Sequence, residues 1–209
     1  MKTSIQRPPL PLKACLFISL GIFSSLLVLE KVIASDPKVS FLILFSTGWL
    51  LWTFLEYFIH RFLMHELIIP GSKDNLFHHH EHHRNPQDLK VKLPHRLVFL
   101  LIFLIALKLS IQSGGYTPIF SGLLGGFSTY NLIHYLLHQP IGRYFFPRVQ
   151  RAHILHHYHR PHHGYSFSTS LWDWLFGTQP PKSDIINQSM LKKYFHKTNF
   201  PITNQNQKL

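Results

Sequence analysis

The chain has 209 residues, a formal net charge of +12, seventeen histidines and a single cysteine, Cys15. This length suits about one domain. One cysteine excludes an intrachain disulfide and a thiolate metal cluster. No nucleic-acid partner is expected, because the basic residues are dispersed rather than gathered into one stripe. The composition therefore favours a single-domain protein whose basic residues and histidines serve a purpose other than nucleic-acid binding.

Four apolar segments predict four transmembrane helices, over residues 14–29, 39–59, 97–111 and 119–137. The third is short for a hydrocarbon core of about 30 Å and contains Lys108, so a re-entrant helix is its alternative. The alternative for the first is a cleavable signal peptide, which the three prolines before it and the Glu-Lys pair after it disfavour. We expect an all-α integral membrane protein with about four transmembrane helices.

The lysines and arginines predict the orientation of these helices. All but three of the 21 lie before the first segment, between the second and the third, or after the fourth. The three exceptions are Lys31, Lys38 and Lys108. Since basic residues stay on the cytoplasmic side, we predict cytoplasmic N- and C-termini. We predict three regions: an N-terminal cytoplasmic segment, 1–13, a membrane domain, 14–178, and a polar C-terminal tail, 179–209, which is expected to be loosely packed over residues 182–209.

The histidines are clustered, because all but one lie between His60 and His163. Neutral imidazole is a common ligand of transition metals, and side chains three or four residues apart share one helical face. Ten histidines have such spacing or end a predicted membrane helix, and they predict a cytoplasmic helical cap that holds two metal ions, each with four or five nitrogen ligands. These ten are His60, His65, His79, His82, His83, His134, His138, His153, His156 and His157.

The other histidines have weaker assignments. A compact histidine run can be a surface metal-buffering tract, but that alternative explains one cluster and not four with helical spacing. His95 and His196 are expected to be ordinary interfacial or surface residues. Five more are candidates for an outer shell or a substrate pocket: His78, His80, His159, His162 and His163.

Four polar residues are candidates to support the ligands. Glu56 lies one turn before His60, and Asn131 lies three residues before His134, so either can orient an imidazole through its second nitrogen. A snorkelling surface acid is the alternative for Glu56. Asp88 and Asp173 are candidates to brace ligand helices, and a purely structural role fits them equally well.

The chain resembles the fatty acid hydroxylase superfamily of integral-membrane di-iron enzymes, also called the sterol desaturase family, over residues 56–178. The resemblance rests on four ordered histidine boxes, EYFIHRFLMH, HHEHHRNPQD, YNLIHYLLH and RAHILHHYH, and on the ending SLWDWLFGT. The spacing of Pro86 and Asp88 and this ending are most similar to the fatty-acid 2-hydroxylase branch. Asn131 and Gln139 depart from that branch, which often has Asp and His at these two positions.

The resemblance implies an enzyme that hydroxylates a C–H bond of a fatty acyl or related membrane lipid chain. It implies two iron ions as cofactor, with zinc as a possible occupant in purified samples, and dioxygen as co-substrate. It implies no catalytic residue beyond the metal ligands. We expect no b-type cytochrome domain in this chain, and therefore a separate electron-donor protein.

Two alternatives stay open. A carotenoid ring hydroxylase or a sterol desaturase or oxidase shares the same histidine architecture. A membrane metal transporter or a metal-binding protein without redox activity belongs to a different class, and it is disfavoured because transporters place ionisable ligands near mid-membrane. The sequence leaves undetermined the lipid, the carbon attacked, the pairing of histidines with each metal and the oligomeric state.

Overall fold

Helices are the only regular elements in the described part of the computed structural model, which comprises residues 8–33, 35–67, 79–89, 91–113 and 115–195, with the backbone alone for His80. A π-helical segment, Ile59–Glu66, continues the second helix without a break. The α-helices are α1 (Leu12–Ile33), α2 (Pro37–Phe58), α3 (His79–Arg84), α4 (Leu93–Ser113), α5 (Thr117–Leu137), α6 (Gly142–Phe145), α7 (Pro147–Tyr158), α8 (Leu171–Phe176) and α9 (Gln188–Phe195).

Three of these helices are long and apolar enough to cross a membrane: α1, the continuous helix Pro37–Glu66, and α4, with mean hydropathies of 2.2, 1.5 and 1.9. Most side chains of α1 and α4 are exposed, for example Phe17 at 80 % and Leu101 at 57 %, which suits lipid contact, whereas those of Pro37–Glu66 are mostly buried or half-buried. Helix α4 has 21 residues and is longer than the predicted segment, 97–111. At about 1.5 Å per residue it is about 32 Å long, which is enough to span the hydrocarbon core of a membrane. The fourth span stays a prediction, because α5 is not among these three.

One compact unit comprises residues 11–56 and 91–132 and contains most of the apolar helices. Glycines of α5 face the backbone of α2 in this unit: a methyl group at Gly122 would overlap the carbonyl oxygen of Phe45, and one at Gly126 would overlap Trp52. Small residues allow this close approach between helices in lipid. The Trp52 ring lies edge-on to Phe127, with 4.8 Å between centroids.

Helix α4 is joined to α5 by polar contacts. The hydroxyl of Ser128 donates to the carbonyl of Phe99 at 3.0 Å, and Ser110 and Ser121 share a hydrogen bond of 3.0 Å. The guanidinium of Arg96 is buried and donates to the backbone carbonyl of Asn131. A buried charge needs such partners, because its desolvation is otherwise costly.

The second compact unit comprises residues 1–10, 57–90 and 133–209 and contains the histidines of all four boxes. Its apolar core is formed by α7, α9 and the chain before α9: Ile154, Leu155, Ile186, Leu191, Tyr194 and Phe195. The prediction of a loosely packed tail is therefore wrong for residues 182–195. Leu191, Tyr194 and Phe195 lie on one face of α9, and the polar residues of its other face conceal this pattern in the average hydropathy.

The close contact between α2 and α5 gives a stability prediction. Gly122→Ala should lower the free energy of unfolding by about 1–3 kcal/mol, because the added methyl group forces two helix backbones apart. Thermal unfolding of the detergent-solubilised protein measures this. Gly21→Ala in α1 is the matched control, since a Cβ there meets nothing within 4 Å, and it should leave the melting temperature unchanged or slightly higher. Equal melting temperatures for the two variants would contradict the prediction.

Candidate metal centre

The π-helical segment brings His60 and His65 onto one side of the chain. In an α-helix, residues five apart point about 140° away from each other. The wider π turn, whose hydrogen bonds join residues five apart, removes this divergence, as in the bond from Leu67 N to Phe62 O at 2.7 Å. The two imidazole centroids are 5.1 Å apart, and Arg61 and Glu66, also five apart, form an ion pair of 2.6 Å.

Among the described residues, nine histidines converge into two groups, and within each group one nitrogen per residue lies within 4.8 Å of all the others. Cluster A contains His60, His65, His79, His83 and His156. Cluster B contains His82, His134, His138 and His153. All nine are among the ten ligands predicted from the sequence, and the side chains of both clusters are buried or half-buried.

Helices α3 and α7 each contribute to both clusters. On α3, His79 and His83 belong to cluster A and His82 to cluster B. On α7, His156 belongs to cluster A and His153 to cluster B. Residues at positions i, i+3 and i+4 share a face that is wide enough to meet two neighbouring groups. The spacing alone places the histidines of each helix together, whereas the structure divides them between the two clusters.

Hydrogen bonds orient two imidazoles of cluster A. The Nδ1 of His60 donates to the carbonyl of Tyr165 at 2.7 Å, and the Nδ1 of His156 donates to the carbonyl of His163 at 2.8 Å. A carbonyl accepts only, so each Nδ1 carries the proton and each Nε2 presents its lone pair. The Nε2 of His156 is buried and has no hydrogen-bond partner among the described residues.

The distances between the imidazole nitrogens fit metal ions. Two imidazole nitrogens that each bind an ion at about 2.0–2.1 Å lie about 2.9–3.4 Å apart. The Nε2 of His79 lies 3.0 Å from that of His60 and 2.9 Å from that of His83, and the Nε2 of His138 lies 3.2 Å from that of His134 and 2.9 Å from that of His153. One nitrogen has one proton or one lone pair and cannot satisfy two such neighbours, whereas a cation can. Imidazole donors suit iron and zinc.

The environment keeps these imidazoles neutral. Burial, followed by the proximity of other imidazoles, lowers the pKa of His79, His153, His156 and His157 below the ordinary value for histidine. A neutral imidazole retains the lone pair that a metal ion needs. These four histidines therefore present neutral nitrogen donors at neutral pH.

The tenth predicted ligand, His157, lies beside both clusters. Its ring is stacked on His83 of cluster A at 4.5 Å and is 4.6 Å from His153 of cluster B, between centroids. Both of its nitrogens are buried and have no hydrogen-bond partner among the described residues. The structure therefore brings His157 to the centre without placing it in either group of converging nitrogens.

Aromatic side chains pack against the clusters, and the sequence analysis missed them. The Phe167 ring contacts His60 of cluster A and is stacked on His134 of cluster B, with 4.6 Å between centroids in each case. Tyr194 of α9 is stacked on His138 at 4.9 Å. The i, i+3, i+4 pattern of Leu191, Tyr194 and Phe195 could have indicated the packing of α9, whereas no local pattern marks Phe167.

The four predicted supporting residues have different environments. Glu56 is buried at the end of α2, and the amide of Asn131 donates to the carbonyl of Phe127 one turn earlier at 2.9 Å, so their proposed orienting roles stay predictions. Asp88 is exposed in the turn after α3. Asp173 is buried and accepts hydrogen bonds from the backbone of Tyr165 and Ser166.

The other described histidines lie outside the two clusters. His95, His159 and His162 are exposed, and His163 is half-buried and contributes its carbonyl to His156. His78, His196 and the side chain of His80 lie outside the described residues.

Comparison with known proteins identifies the family. The model of the family described as fatty acid hydroxylase matches residues 45–178, which include both clusters. The chain belongs to the fatty acid hydroxylase family.

Members of this family with curated descriptions are similar over most of this chain. The fatty acid 2-hydroxylase of Mus musculus is 34 % identical over 158 residues, which are 70 % of this chain and 42 % of that protein. The dihydroceramide fatty acyl 2-hydroxylase FAH2 of Arabidopsis thaliana is 34 % identical over 152 residues, 69 % of this chain and 62 % of that protein. The chain thus spans between two fifths and two thirds of the length of these relatives.

A solved structure of full-length Scs7p, in which only the hydroxylase domain is visible, is 24 % identical to this chain. The alignment has a TM-score of 0.49 and covers 83 % of this chain and 68 % of that one.

The position of His156 in cluster A gives a metal-binding prediction for this fatty acid hydroxylase family member. His156→Ala should remove about one equivalent of bound metal from the purified chain, because it deletes a nitrogen that faces the other four histidines. Elemental analysis by mass spectrometry measures the metal per chain. His159→Ala, at the exposed end of the same helix, should keep the full metal content. Equal metal content in the two variants would contradict the assignment.

Proposed function

We propose that this protein is a membrane-bound di-iron hydroxylase that converts a C–H bond of a fatty acyl or related lipid chain into C–OH. The observation that carries the proposal is the pair of adjacent all-imidazole clusters in a chain of the fatty acid hydroxylase family. The carotenoid, sterol and metal-transport alternatives have no comparable support, since the similar curated proteins are fatty acid and ceramide hydroxylases.

The metal ligands in this proposal are the nine histidines of clusters A and B together with His157, which contacts both clusters. Two iron ions held there would supply the activation of dioxygen that no amino-acid side chain provides. The protein contributes neutral nitrogen donors in fixed orientations, and it keeps water away with the rings of Phe167 and Tyr194. Zinc can occupy the same donors in a purified sample.

The stoichiometry of the reaction requires a partner. Inserting one oxygen atom of O₂ into a C–H bond and releasing the other as water consumes two electrons and two protons. The organic substrate does not supply these electrons, because a simple hydroxylation removes only two electrons from the C–H bond and O₂ accepts four. We therefore propose that a separate electron-donor protein delivers the other two electrons to the clusters.

The substrate proposal comes from the relatives and from the position of the ligands on one helix. The relatives' names specify the 2-position, in one case of a fatty acid and in the other of the fatty acyl chain of dihydroceramide. The α-helical part of Pro37–Glu66 has 22 residues and is about 33 Å long, close to the thickness of the hydrocarbon core, and His60 follows it at once. We propose that a lipid presents the carbon next to its carbonyl group to the clusters while its tail stays in the membrane.

The membrane topology in this proposal has cytoplasmic termini, and the clusters lie on the cytoplasmic side. The bias of lysines and arginines supports this orientation. Helix α5 is proposed as the fourth span, and residues 14–178 as the hydroxylase-type membrane domain, with residues 1–13 and 179–209 outside the bilayer. Fusing a reporter enzyme to each end of the chain and testing its accessibility would determine the orientation.

Lipid profiling tests the proposed activity. In cells that express the wild-type chain, mass spectrometry should detect acyl chains that are heavier by one oxygen atom, with the hydroxyl at the 2-position. The double variant His82→Ala/His83→Ala should reduce them to the background of non-expressing cells, because it removes one donor from each cluster. His95→Ala, an exposed histidine at the start of α4, should leave the hydroxylated lipids at the wild-type level. Hydroxylated lipids at the same level with and without the wild-type chain would overturn the proposal.

A further inference from the structure

The backbone of residues 163–166, between α7 and α8, makes hydrogen bonds in two directions. We refer to these four residues as the strap. The carbonyl groups of its first and third residues accept from imidazoles. The N–H groups of its last three residues donate to the segment from Asp173 to Thr178, which ends the family-like motif SLWDWLFGT. The strap therefore connects that ending physically to the histidines.

On the imidazole side, both bonds go to cluster A. The carbonyl of His163 accepts from His156 Nδ1 at 2.8 Å, and the carbonyl of Tyr165 accepts from His60 Nδ1 at 2.7 Å. These two bonds set the tautomer and the ring direction, so that Nε2 of each imidazole points at the other donors of cluster A. A shift of the strap would rotate both rings.

On the other side, one carboxylate holds two successive N–H groups. Asp173 Oδ1 accepts from Tyr165 N at 3.0 Å, and Asp173 Oδ2 accepts from Ser166 N at 2.9 Å. The Thr178 hydroxyl donates to Asp173 Oδ1 at 2.6 Å, and the Thr178 carbonyl accepts from Gly164 N at 2.8 Å. Asp173 and Thr178 are both buried, so these bonds are shielded from water.

Two glycines make this arrangement sterically possible. Gly177 ends α8 with φ +76°, which turns the chain back so that Thr178 N donates to the carbonyl of Asp173 at 2.8 Å. Gly164 has φ +74°, and a Cβ there would lie 2.9 Å from the carbonyl oxygen of Ala152 in α7. The strap therefore packs closely against α7, the helix that contains His156.

We propose that Asp173, supported by Thr178, is a positioning residue for cluster A: it fixes the strap, and the strap orients His60 and His156. This inference rests on the proposed role of cluster A as a metal site. The WDWLFGT ending thereby gains a role in orienting metal ligands, which it exerts through the strap.

The two side chains can be altered in graded steps. Asp173→Asn keeps the shape but replaces one acceptor oxygen with an NH₂ group, so at least one of the three donors that face the carboxylate loses its partner. Thr178→Val removes only the hydroxyl, and Thr178→Ser restores it. Asp184→Asn is the matched control, because it makes the same chemical change in the same unit at a carboxylate that pairs with Arg160 and not with the N–H groups of the strap.

The experiment measures the affinity of the full-length chain, purified in detergent without metal, for Co²⁺ by its visible absorption. Two background variants allow Co²⁺ binding to each cluster to be measured separately. His134→Ala, the first, leaves cluster A complete, and His65→Ala, the second, leaves cluster B complete. In the first background, Asp173→Asn should weaken Co²⁺ binding about 10–100-fold and change the absorption of the bound ion. In the second background, it should leave Co²⁺ affinity unchanged. Thr178→Val should act in the same direction with a smaller loss, and Thr178→Ser should bind as its parent.

The outcomes decide between orientation and a purely structural role. An equal loss of affinity in both backgrounds, or an equal loss with Asp184→Asn, would overturn the inference, as would unchanged affinity in the first background. If Asp173→Asn does not fold, the comparison of Thr178→Val with Thr178→Ser decides in the same way. Wild-type lipid profiles separate this inference from the proposed function: Co²⁺ results as expected in a chain that forms no hydroxylated lipid would reject the function and retain the positioning role.

Discussion

Nine imidazole side chains each bring a nitrogen to within 4.8 Å of its neighbours, in two groups. Facing lone pairs repel each other, and burial has removed the water that would otherwise separate them. Cations at the centre of each group convert this repulsion into attraction, so folding of this unit and metal binding are expected to be coupled. The π-helical turn, the strap and the rings of Phe167 and Tyr194 hold the donors in place against this repulsion.

Each of these three features acts on a different part of the two histidine clusters. The π-helical segment supplies the spacing of His60 and His65, and Arg61 and Glu66 stabilise it by their own contact five residues apart. The strap orients rings of cluster A, whereas Phe167 contacts both clusters. Because α3 and α7 carry histidines of both clusters, a movement of either helix would disturb the two clusters together.

Local patterns predicted much of this arrangement. Spacings of three and four residues identified the histidines of α3, α5 and α7, because helical periodicity is a property of consecutive residues. Apolar runs identified the helices, although their ends shifted by several residues and α4 proved longer than expected. The π-helical turn escaped prediction because apolar periodicity does not distinguish it from an α-helix. Helix α9 was missed because its polar face lowers the average hydropathy of the tail.

The sequence by itself determined that the protein is helical, that it enters a membrane and that its histidines form a metal-binding set, since composition and periodicity encode these properties. The tertiary structure decided how the set divides. His82 and His83 are adjacent in sequence yet belong to different clusters, and His79 shares cluster A with His156, 77 positions later in the chain. Likewise, the strap links Asp173 to His60, which lies 113 positions earlier in the chain. These relations depend on the packing of segments distant in sequence, which no local spacing records.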